Sequence, residues 1–309
     1  MKKQMNEPLV SVCMITYNHE PFIAQAIESV LMQKTDFPFE LVIGEDCSTD
    51  NTRKICEEYE HHNQEKTHLL PSDKNLGVMG NFIRTLQTCR GKYIALLEGD
   101  DYWIDPLKLQ KQVDFLEEND YCSLCYTNRY IVDEKGNILS EGNLPGPKKM
   151  YLTKEDVLGV FTPPMQTTMF LSKYLSRNLF NALKKGYNGD STLSYFLIRE
   201  GNFGYLDEIT ACYRQHPGGI YSRVNNSKRL EKTLENQKEI KRFFSKEDRV
   251  LLNRDKVSTL MRLYKEYAYH HQPAKLLKTA GQLILNDIQF KQLNFLKANY
   301  WLLKSIKNH

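Results

Sequence analysis

The chain has 309 residues, of which 41% are hydrophobic and 26% are charged, proportions that are typical of an ordinary globular protein. No run of 18 apolar residues occurs, so the sequence predicts no transmembrane helix. The N-terminus lacks the apolar core and the cleavage site of a signal peptide, and we therefore expect a cytoplasmic protein.

Charge and cysteine content narrow the class of protein further. Residues 225–309 carry 18 lysines and arginines against 8 acidic residues, whereas residues 1–224 carry 24 against 30. This difference predicts two regions, 1–224 and a basic helical extension over 225–309. The 7 cysteines are irregularly spaced, which disfavours a secreted disulfide framework. Cys122 and Cys125 form a C-x-x-C pattern, but their apolar surroundings indicate a buried strand rather than a redox or metal site.

The first half alternates strand and helix patterns. We predict strands over 9–15, 39–44, 67–70 and 93–97, a loop over 75–80, and helices over 22–31, 53–59, 81–89 and 108–118. Repeated β-α-β units predict a parallel sheet with right-handed crossovers. Further along, the patterns predict strands over 121–128, 137–139 and 165–171, a turn over 144–147, helices over 173–184 and 190–199, and an edge region over 203–214. Amphipathic helices are expected from about 225 to 307, with breaks near Pro273 and Asn286.

Polar clusters follow three of the predicted strands, over residues 16–20, 45–52 and 98–101. Ligands of open parallel sheets bind beyond the carboxyl ends of the strands. The coincidence of three polar clusters at such ends therefore predicts a functional site there.

Carboxylates dominate the third cluster, which contains Glu98, Asp100 and Asp101. Carboxylate oxygens suit Mg²⁺ or Mn²⁺, and such an ion can bridge the oxygens of a diphosphate. A solvated acidic turn is the alternative, but the position at the end of a buried strand, before Tyr102 and Trp103, favours a metal site. In the second cluster, Asp46, which follows Glu45, could accept from a pyrimidine ring N–H or cap the helix that begins near Asn51, and the chemistry alone leaves both open.

The segments 10–18, 26–33 and 40–50 together resemble the beginning of family 2 glycosyltransferases. Asn75-Leu76-Gly77, Leu97–Asp101, Gly189-Asp190 and Tyr213–Gly219 are similar to motifs of the same family in order and spacing, and the resemblance covers about residues 8–222. It implies a GT-A domain, an α/β fold with a Rossmann-like mixed sheet, over residues 1–224. It also implies inverting, metal-dependent transfer from a UDP-sugar or other pyrimidine nucleotide-sugar to a glycan or lipid-linked acceptor, in surface polysaccharide assembly.

The resemblance assigns roles to individual residues. Thr16 and Tyr17 would contact the base of the nucleotide, with Tyr17 stacking on it. Glu20 would lie near the ribose, and Asp46 would accept from the pyrimidine N3–H. Asp100 would contact the ribose or the sugar. Asp101 would hold Mn²⁺ or Mg²⁺. Glu98 stands where the family often has Asp, and its role stays open.

Two later residues complete the implied site. Asp190 is the expected general base, since inverting transfer needs a carboxylate to take the proton of the acceptor hydroxyl; a helix N-cap is the alternative. His216 would contact the metal or the diphosphate, or else lie in a surface turn. The segment Gln166-Thr167-Thr168 is expected on the acceptor side.

The basic extension leaves two alternatives open. Its basic and aromatic side chains predict peripheral binding to an anionic membrane at the inner face, near a lipid-linked acceptor. The alternative is a packed helical cap or a dimer interface, and the oligomeric state is open. Nucleic-acid binding is disfavoured because the preceding region is acidic.

Two rival functions are considered. The first is a sugar nucleotidylyltransferase, but the Gly-rich basic loop of such enzymes is absent after the first strand of this sequence. The second is a non-catalytic module that binds a nucleotide-sugar or a glycan.

Overall fold

The computed structural model describes residues 7–142, 149–186, 188–219 and 226–290. The chain forms two compact units. The first comprises Met1–Val157, Phe161–Lys184 and Gly189–His216, and the second comprises Leu158–Val160, Lys185–Asn188 and Pro217–His309. The division predicted between residues 224 and 225 falls outside the described residues and stays a prediction.

The first unit is built on one mixed sheet. Its strands are β1 (Val10–Thr16), β2 (Phe39–Glu45), β3 (Thr67–Leu69), β4 (Tyr93–Glu98), β5 (Tyr102–Trp103), β6 (Cys122–Val132), β7 (Ile138–Glu141), β8 (Tyr151–Leu152), β9 (Met169–Leu171) and β10 (Asn202–Arg214). Its helices are α1 (Ile23–Leu31), α2 (Thr52–His62), α3 (Gly77–Thr88), α4 (Lys108–Glu118), α5 (Lys154–Val157), α6 (Arg177–Lys185) and α7 (Gly189–Leu197). Short 3₁₀ turns occupy Met165–Thr167 and Ser172–Tyr174.

The strand order is β3-β2-β1-β4-β9-β6-β10-β5, with β7 beside β6 and β8 beside β10. The first four strands in that order are parallel, as the β-α-β pattern predicts, while β9 runs antiparallel to its neighbours β4 and β6. Strand β1 is buried along almost its whole length because helices cover the parallel part of the sheet. Helix α1 buries one face, Ile23, Ala26, Ile27 and Val30, against this core, and each large apolar side chain so buried contributes about 1.5–3 kcal/mol.

Several sequence-based boundaries need correction. Helix α3 begins at Gly77 rather than at residue 81. Gly77 turns the chain into the helix with a left-handed φ of +73°, and its N–H donates to Asn75 Oδ1 at 3.0 Å. The strand predicted over 165–171 is a 3₁₀ turn followed by the shorter strand β9, and the two-residue strand β5 was not predicted. The C-x-x-C residues lie buried in β6 with free thiols, as expected. The turn predicted over 144–147 lies outside the described residues.

The second unit is helical. Its helices are Asn226–Ile240, Lys246–Tyr269 and Pro273–Phe290, and the predicted break near Pro273 is confirmed. The break predicted near Asn286 is wrong, because this buried side chain lies inside the last helix and accepts from Asn253 Nδ2 at 2.6 Å. The helices predicted over 291–307 lie outside the described residues. Across the part of the chain that the structure describes, every helix is too short or too polar to cross a bilayer.

Candidate active site

Three polar segments meet at one edge of the sheet. Strand β1 ends at Thr16 between β2, which ends at Glu45, and β4, which ends at Glu98. The strands are parallel and in register, with Thr16 opposite Glu45 and Ile15 opposite Glu98. The clusters 16–20, 45–52 and 98–101 therefore lie side by side, as the sequence predicts.

The first two clusters are joined by hydrogen bonds. Asn18, with a left-handed φ of 55°, receives a bond from the Thr49 N–H at 2.8 Å and donates its own N–H to Ser48 Oγ at 2.9 Å. The Asp50 carboxylate accepts from the N–H groups of Glu20 at 3.1 Å and Thr52 at 3.0 Å. The loop after β1 is thus fastened to the loop after β2.

Glu20 takes part in the same fastening. Its two carboxylate oxygens accept from the N–H and the Nδ2 of Asn51 at 3.0 and 2.7 Å. These hydrogen bonds lower the pKa of Glu20 below its ordinary value. Tyr17, the first residue after strand β1, is 43% exposed, so its ring is open to a ligand.

Asp46 is buried at the end of β2. Its N–H donates to the Thr16 carbonyl at 3.0 Å, and its Oδ1 accepts from the Leu76 N–H at 2.8 Å. Its carbonyl accepts from Asn75 Nδ2 at 2.9 Å. Asp46 therefore orders the turn before α3. At the start of α2, the helix that Asp46 might have capped, the N–H of Thr52 donates to Asp50 rather than to Asp46.

Asp100 lies between two histidines. Its Oδ2 is 3.1 Å from His216 Nε2 and 3.6 Å from His19 Nε2. The ring of Phe22 packs edge-on against His216 at 4.8 Å between centroids. Burial would raise the pKa of Asp100, yet the hydrogen bond to His216 and the nearby His19 keep it below its ordinary value. His216, predicted as a metal or diphosphate contact, thus reaches the acidic cluster through Asp100.

Asp101 is almost completely buried, and only one of its oxygens is engaged. Oδ1 accepts from the Arg214 N–H at 2.8 Å, whereas the buried Oδ2 has no hydrogen-bond partner among the residues described. Burial and the charges of Asp100 and Glu98 raise the pKa of Asp101 well above its ordinary value. Burial, Asp100 and Asp190 do the same for Glu98. A buried carboxylate oxygen of this kind needs a cation or a proton, so the acidic cluster fits a divalent ion.

Arg214 shapes the acidic cluster, a role that the sequence motif did not assign. Its Nε donates to the Asp100 carbonyl at 3.0 Å and its two Nη atoms donate to the Glu134 carbonyl at 2.9 Å and to Gln25 Oε1 at 2.6 Å. Its guanidinium also lies 4.7 and 5.0 Å from the ring centroids of Phe22 and Tyr102. The only sequence signal was its place beside His216 in the last matched motif.

Asp190 lies in the first turn of α7, one residue after the first helical residue, Gly189. Burial raises its pKa to about 6, against the opposing effects of its own backbone N–H and of Arg129. Its charge also raises the pKa of Glu98, so the two carboxyl groups lie within electrostatic reach. A carboxyl with a pKa near neutrality is suited to exchange a proton with a substrate.

Arg129 is a second residue that the sequence analysis missed. Its Nη1 donates to Gln166 Oε1 at 3.3 Å, and its guanidinium lies 5.0 Å from the centroid of the Tyr213 ring. Burial lowers its pKa, while Asp101, Tyr213, Asp190 and Glu98 act in the opposite direction. Arg129 therefore supplies positive charge to the acids. It lies just beyond the strand predicted over 121–128, in a stretch that gave no functional signal.

The three residues of the predicted acceptor-side segment, Gln166, Thr167 and Thr168, are buried. The hydroxyls of Thr167 and Thr168 donate to the carbonyls of Pro164 and Met165, both at 2.8 Å. The Gln166 carbonyl accepts from Trp103 Nε1 at 2.8 Å. Within this segment it is the Gln166 side chain, 2% exposed, that contacts Arg129.

Comparison with known proteins gives the family. The family model described as glycosyl transferase family 2 matches residues 11–177. An uncharacterized protein of Mycobacterium tuberculosis H37Rv is 30% identical over 236 residues, which are 71% of this chain and 62% of the relative. This chain thus spans about three-fifths of that relative's length. TuaG of Bacillus subtilis, a glycosyltransferase that its name assigns to teichuronic acid biosynthesis, is 29% identical over 59% of this chain and 74% of its own.

Solved structures show the same fold at lower identity. S. aureus TarS, residues 1–349 in complex with UDP-GlcNAc, superposes with a TM-score of 0.66 at 18% identity and covers 89% of this chain and 80% of its own. The mannosyltransferase PcManGT of Pyrobaculum calidifontis, in complex with GDP-Man and Mn²⁺, gives 0.59 at 15% identity and covers 98% and 80%. These similarities confirm the predicted GT-A fold.

Proposed function

The chain belongs to glycosyl transferase family 2, and on that premise we propose that it transfers a sugar from a UDP-sugar, or another pyrimidine nucleotide-sugar, to a glycan or lipid-linked acceptor. One observation carries this proposal. The ends of three parallel strands bring an interlocked pair of loops beside a cluster of carboxylates, in which the buried Asp101 Oδ2 has no hydrogen-bond partner among the described residues. The first feature suits a bound nucleotide, and the second suits a cation and a proton transfer.

The nucleotide would bind against the loops after β1 and β2. Thr16 and the exposed Tyr17 face the base, with Tyr17 stacking on it, and Asp46 accepts from the pyrimidine N3–H. Glu20 lies near the ribose, held in place by Asn51. The UDP-GlcNAc bound to TarS supports a pyrimidine nucleotide.

A divalent ion, Mn²⁺ or Mg²⁺, would be held by Asp101 and His216, with Asp100 between them and the donor. The unpaired Oδ2 of Asp101 and the contact of His216 with Asp100 support this assignment, as does the Mn²⁺ in PcManGT. Such an ion neutralises the charge that develops on the leaving diphosphate. Arg214 keeps the Asp100 carbonyl in place through its Nε and the Asp101 carboxylate through its backbone N–H.

Asp190 would act as the general base of a single displacement. It accepts the proton of the acceptor hydroxyl while the hydroxyl oxygen bonds to the anomeric carbon and the bond from that carbon to the diphosphate breaks. The configuration at the anomeric carbon is inverted. The pKa of about 6 makes Asp190 mostly ionised at neutral pH while keeping it basic enough to accept a proton.

Surface polysaccharide assembly is the pathway that we propose, since the name of TuaG assigns it to teichuronic acid biosynthesis. A lipid-linked acceptor would place the enzyme at a membrane, and the excess of basic residues over 225–309 supports peripheral binding to an anionic surface. Co-sedimentation with liposomes of anionic and of neutral lipid tests this part: salt-sensitive binding to the anionic vesicles is expected, and equal recovery with both kinds contradicts it.

The direct test of the function is a nucleotide-sugar panel. Thermal unfolding with Mn²⁺ and each of several UDP-, GDP- and CMP-sugars should show the largest stabilisation with a pyrimidine nucleotide, since a ligand stabilises the state that binds it. Release of the free nucleotide from the same donor should then require Asp190. Stabilisation without release of nucleotide from any donor or acceptor would favour the non-catalytic binding module.

A further inference from the structure

His19, in the loop after β1, is held in a fixed orientation. Its N–H donates to Thr52 Oγ1 at 2.8 Å, and its ring Nδ1 is 3.2 Å from Thr16 Oγ1. These two contacts leave Nε2 directed at Asp100 Oδ2, 3.6 Å away. An imidazole whose far nitrogen is bonded to a fixed oxygen is the arrangement that orients metal-binding histidines.

His216 directs its own Nε2 at the same oxygen of Asp100 from the other side, at 3.1 Å. The ligating atoms of His19, Asp100 and His216 all lie within 4.8 Å of one another. Atoms that share a divalent ion at about 2.0–2.2 Å lie roughly 3–3.6 Å apart, which matches both distances. The longer distance exceeds that of a hydrogen bond, so His19 Nε2 lies in electrostatic contact with Asp100 without a hydrogen bond to it.

We propose that His19 is a metal ligand together with Asp100 and His216, so that two imidazoles and a carboxylate face the ion. The proposal deepens the metal site of the proposed function and changes its ligand set, since it adds His19 and makes Asp100 a ligand beside His216. It rests on the proposed function only for the role that the ion plays in the reaction. It adds a ligand from the loop after β1, a position at which the sequence gave no metal signal.

The ligand chemistry sets the choice of ion. Mg²⁺ takes oxygen ligands and gives up its waters reluctantly, whereas imidazole is a ligand of the first-row transition metals, the series to which Mn²⁺ belongs. A site with two imidazoles should therefore favour Mn²⁺ over Mg²⁺. An oxygen-only site built from Glu98, Asp100 and Asp101, whose ligating atoms also lie within 4.8 Å of one another, would show little such preference.

The test is calorimetric titration of the full chain with Mn²⁺ alone and with Mg²⁺ alone, with no nucleotide-sugar present. Wild type should bind Mn²⁺ at least about 10-fold more tightly than Mg²⁺. His19→Ala should weaken Mn²⁺ binding about 10-fold or more and reduce the preference over Mg²⁺. The matched control is His68→Ala. It removes a histidine on β3 whose Nε2 lies 3.5 Å from Glu40 Oε2, and it should leave both affinities unchanged.

A second variant covers the case in which His19→Ala fails to fold. Thr16→Val preserves the volume of the buried side chain and removes the hydroxyl bonded to His19, and loss of such a partner costs about 10–100-fold in metal affinity. Equal Mn²⁺ affinities for wild type and for the folded variants would overturn the proposal, as would a wild type that binds no Mn²⁺. A protein that binds Mn²⁺ through His19 but transfers no sugar would refute the proposed function and leave this inference standing.

Discussion

Two groups of carboxylates lie at the same edge of the sheet, and the protein shifts their pKa values in opposite directions. In the loops after β1 and β2, Glu20 accepts hydrogen bonds from the Nδ2 and the N–H of Asn51, and these bonds lower its pKa below the ordinary value. Burial would raise the pKa of Asp50, but its hydrogen bonds with Thr52 and with the N–H of Glu20 keep it below the ordinary value. At the acidic end, burial raises the pKa of Glu98, Asp101 and Asp190. The first group is already satisfied and fixes loop shape, whereas the second still needs a cation or a proton. On the proposed function, this difference divides the site into an end that would bind the nucleotide and an end at which the reaction would take place, here called the binding end and the reacting end.

Asp190→Asn should give the largest effect, because it removes the proposed base from the reacting end and leaves the binding end intact. Turnover of the nucleotide-sugar should fall about 10²–10⁴-fold, while the dissociation constant of UDP stays at the wild-type value. Steady-state kinetics and calorimetry check the two quantities. Unchanged turnover would remove Asp190 from the mechanism.

Arg214→Met tests whether the buried guanidinium of Arg214 holds the reacting end together. The variant loses the bonds to the Asp100 carbonyl, the Glu134 carbonyl and Gln25, so the free energy of unfolding should fall by about 3 kcal/mol or more. Urea denaturation measures this fall. The control is Arg242→Met, which removes an exposed partner of Glu239 and should cost less than about 1 kcal/mol. Similar losses for both variants would contradict the role of Arg214.

The pH dependence separates the two ends in another way. The folded state raises the pKa of Asp190 from 3.8 to about 6, so over that range it binds more protons than the unfolded state does. The contribution of Asp190 to stability is therefore greatest at low pH and is lost as the pH rises through about 6. Turnover should rise over the same range, since the base must be ionised.

Asp190→Asn removes this loss of stability. With metal chelated, its melting temperature should exceed that of wild type by about 2–5 °C above pH 6, and the excess should disappear towards about pH 4. Thermal melts of both proteins across that range measure the difference. An excess that does not change with pH would show that Asp190 does not titrate as described.

Asp46→Asn should give the smallest effect, confined to the binding end. The amide oxygen can still accept from the Leu76 N–H, so the turn before α3 should survive. A neutral amide oxygen is, however, a weaker hydrogen-bond acceptor for a pyrimidine N3–H than a carboxylate oxygen is. We expect UDP binding about 10-fold weaker and unchanged turnover at saturating donor. A variant that binds UDP as wild type does would remove Asp46 from base recognition.

The sequence predicted the parallel half of the sheet and the meeting of three polar clusters, because both follow from periodicity and from the geometry of β-α-β units. It did not predict Arg129 or Arg214 as site residues. Each is a cation on a strand, and its partners are as distant in sequence as Gln25 for Arg214, so only the fold brings them together. The orientation of His19 depends on Thr16 and Thr52, and no local pattern encodes such a contact.

The division of the site into two ends is tested most directly by comparing Asp46→Asn and Asp190→Asn in one experiment that measures both the UDP dissociation constant and turnover at saturating nucleotide-sugar. The two ends predict opposite results: Asp46→Asn weakens binding and retains turnover, and Asp190→Asn retains binding and loses turnover. If both variants lost binding and turnover to the same extent, the division would be wrong.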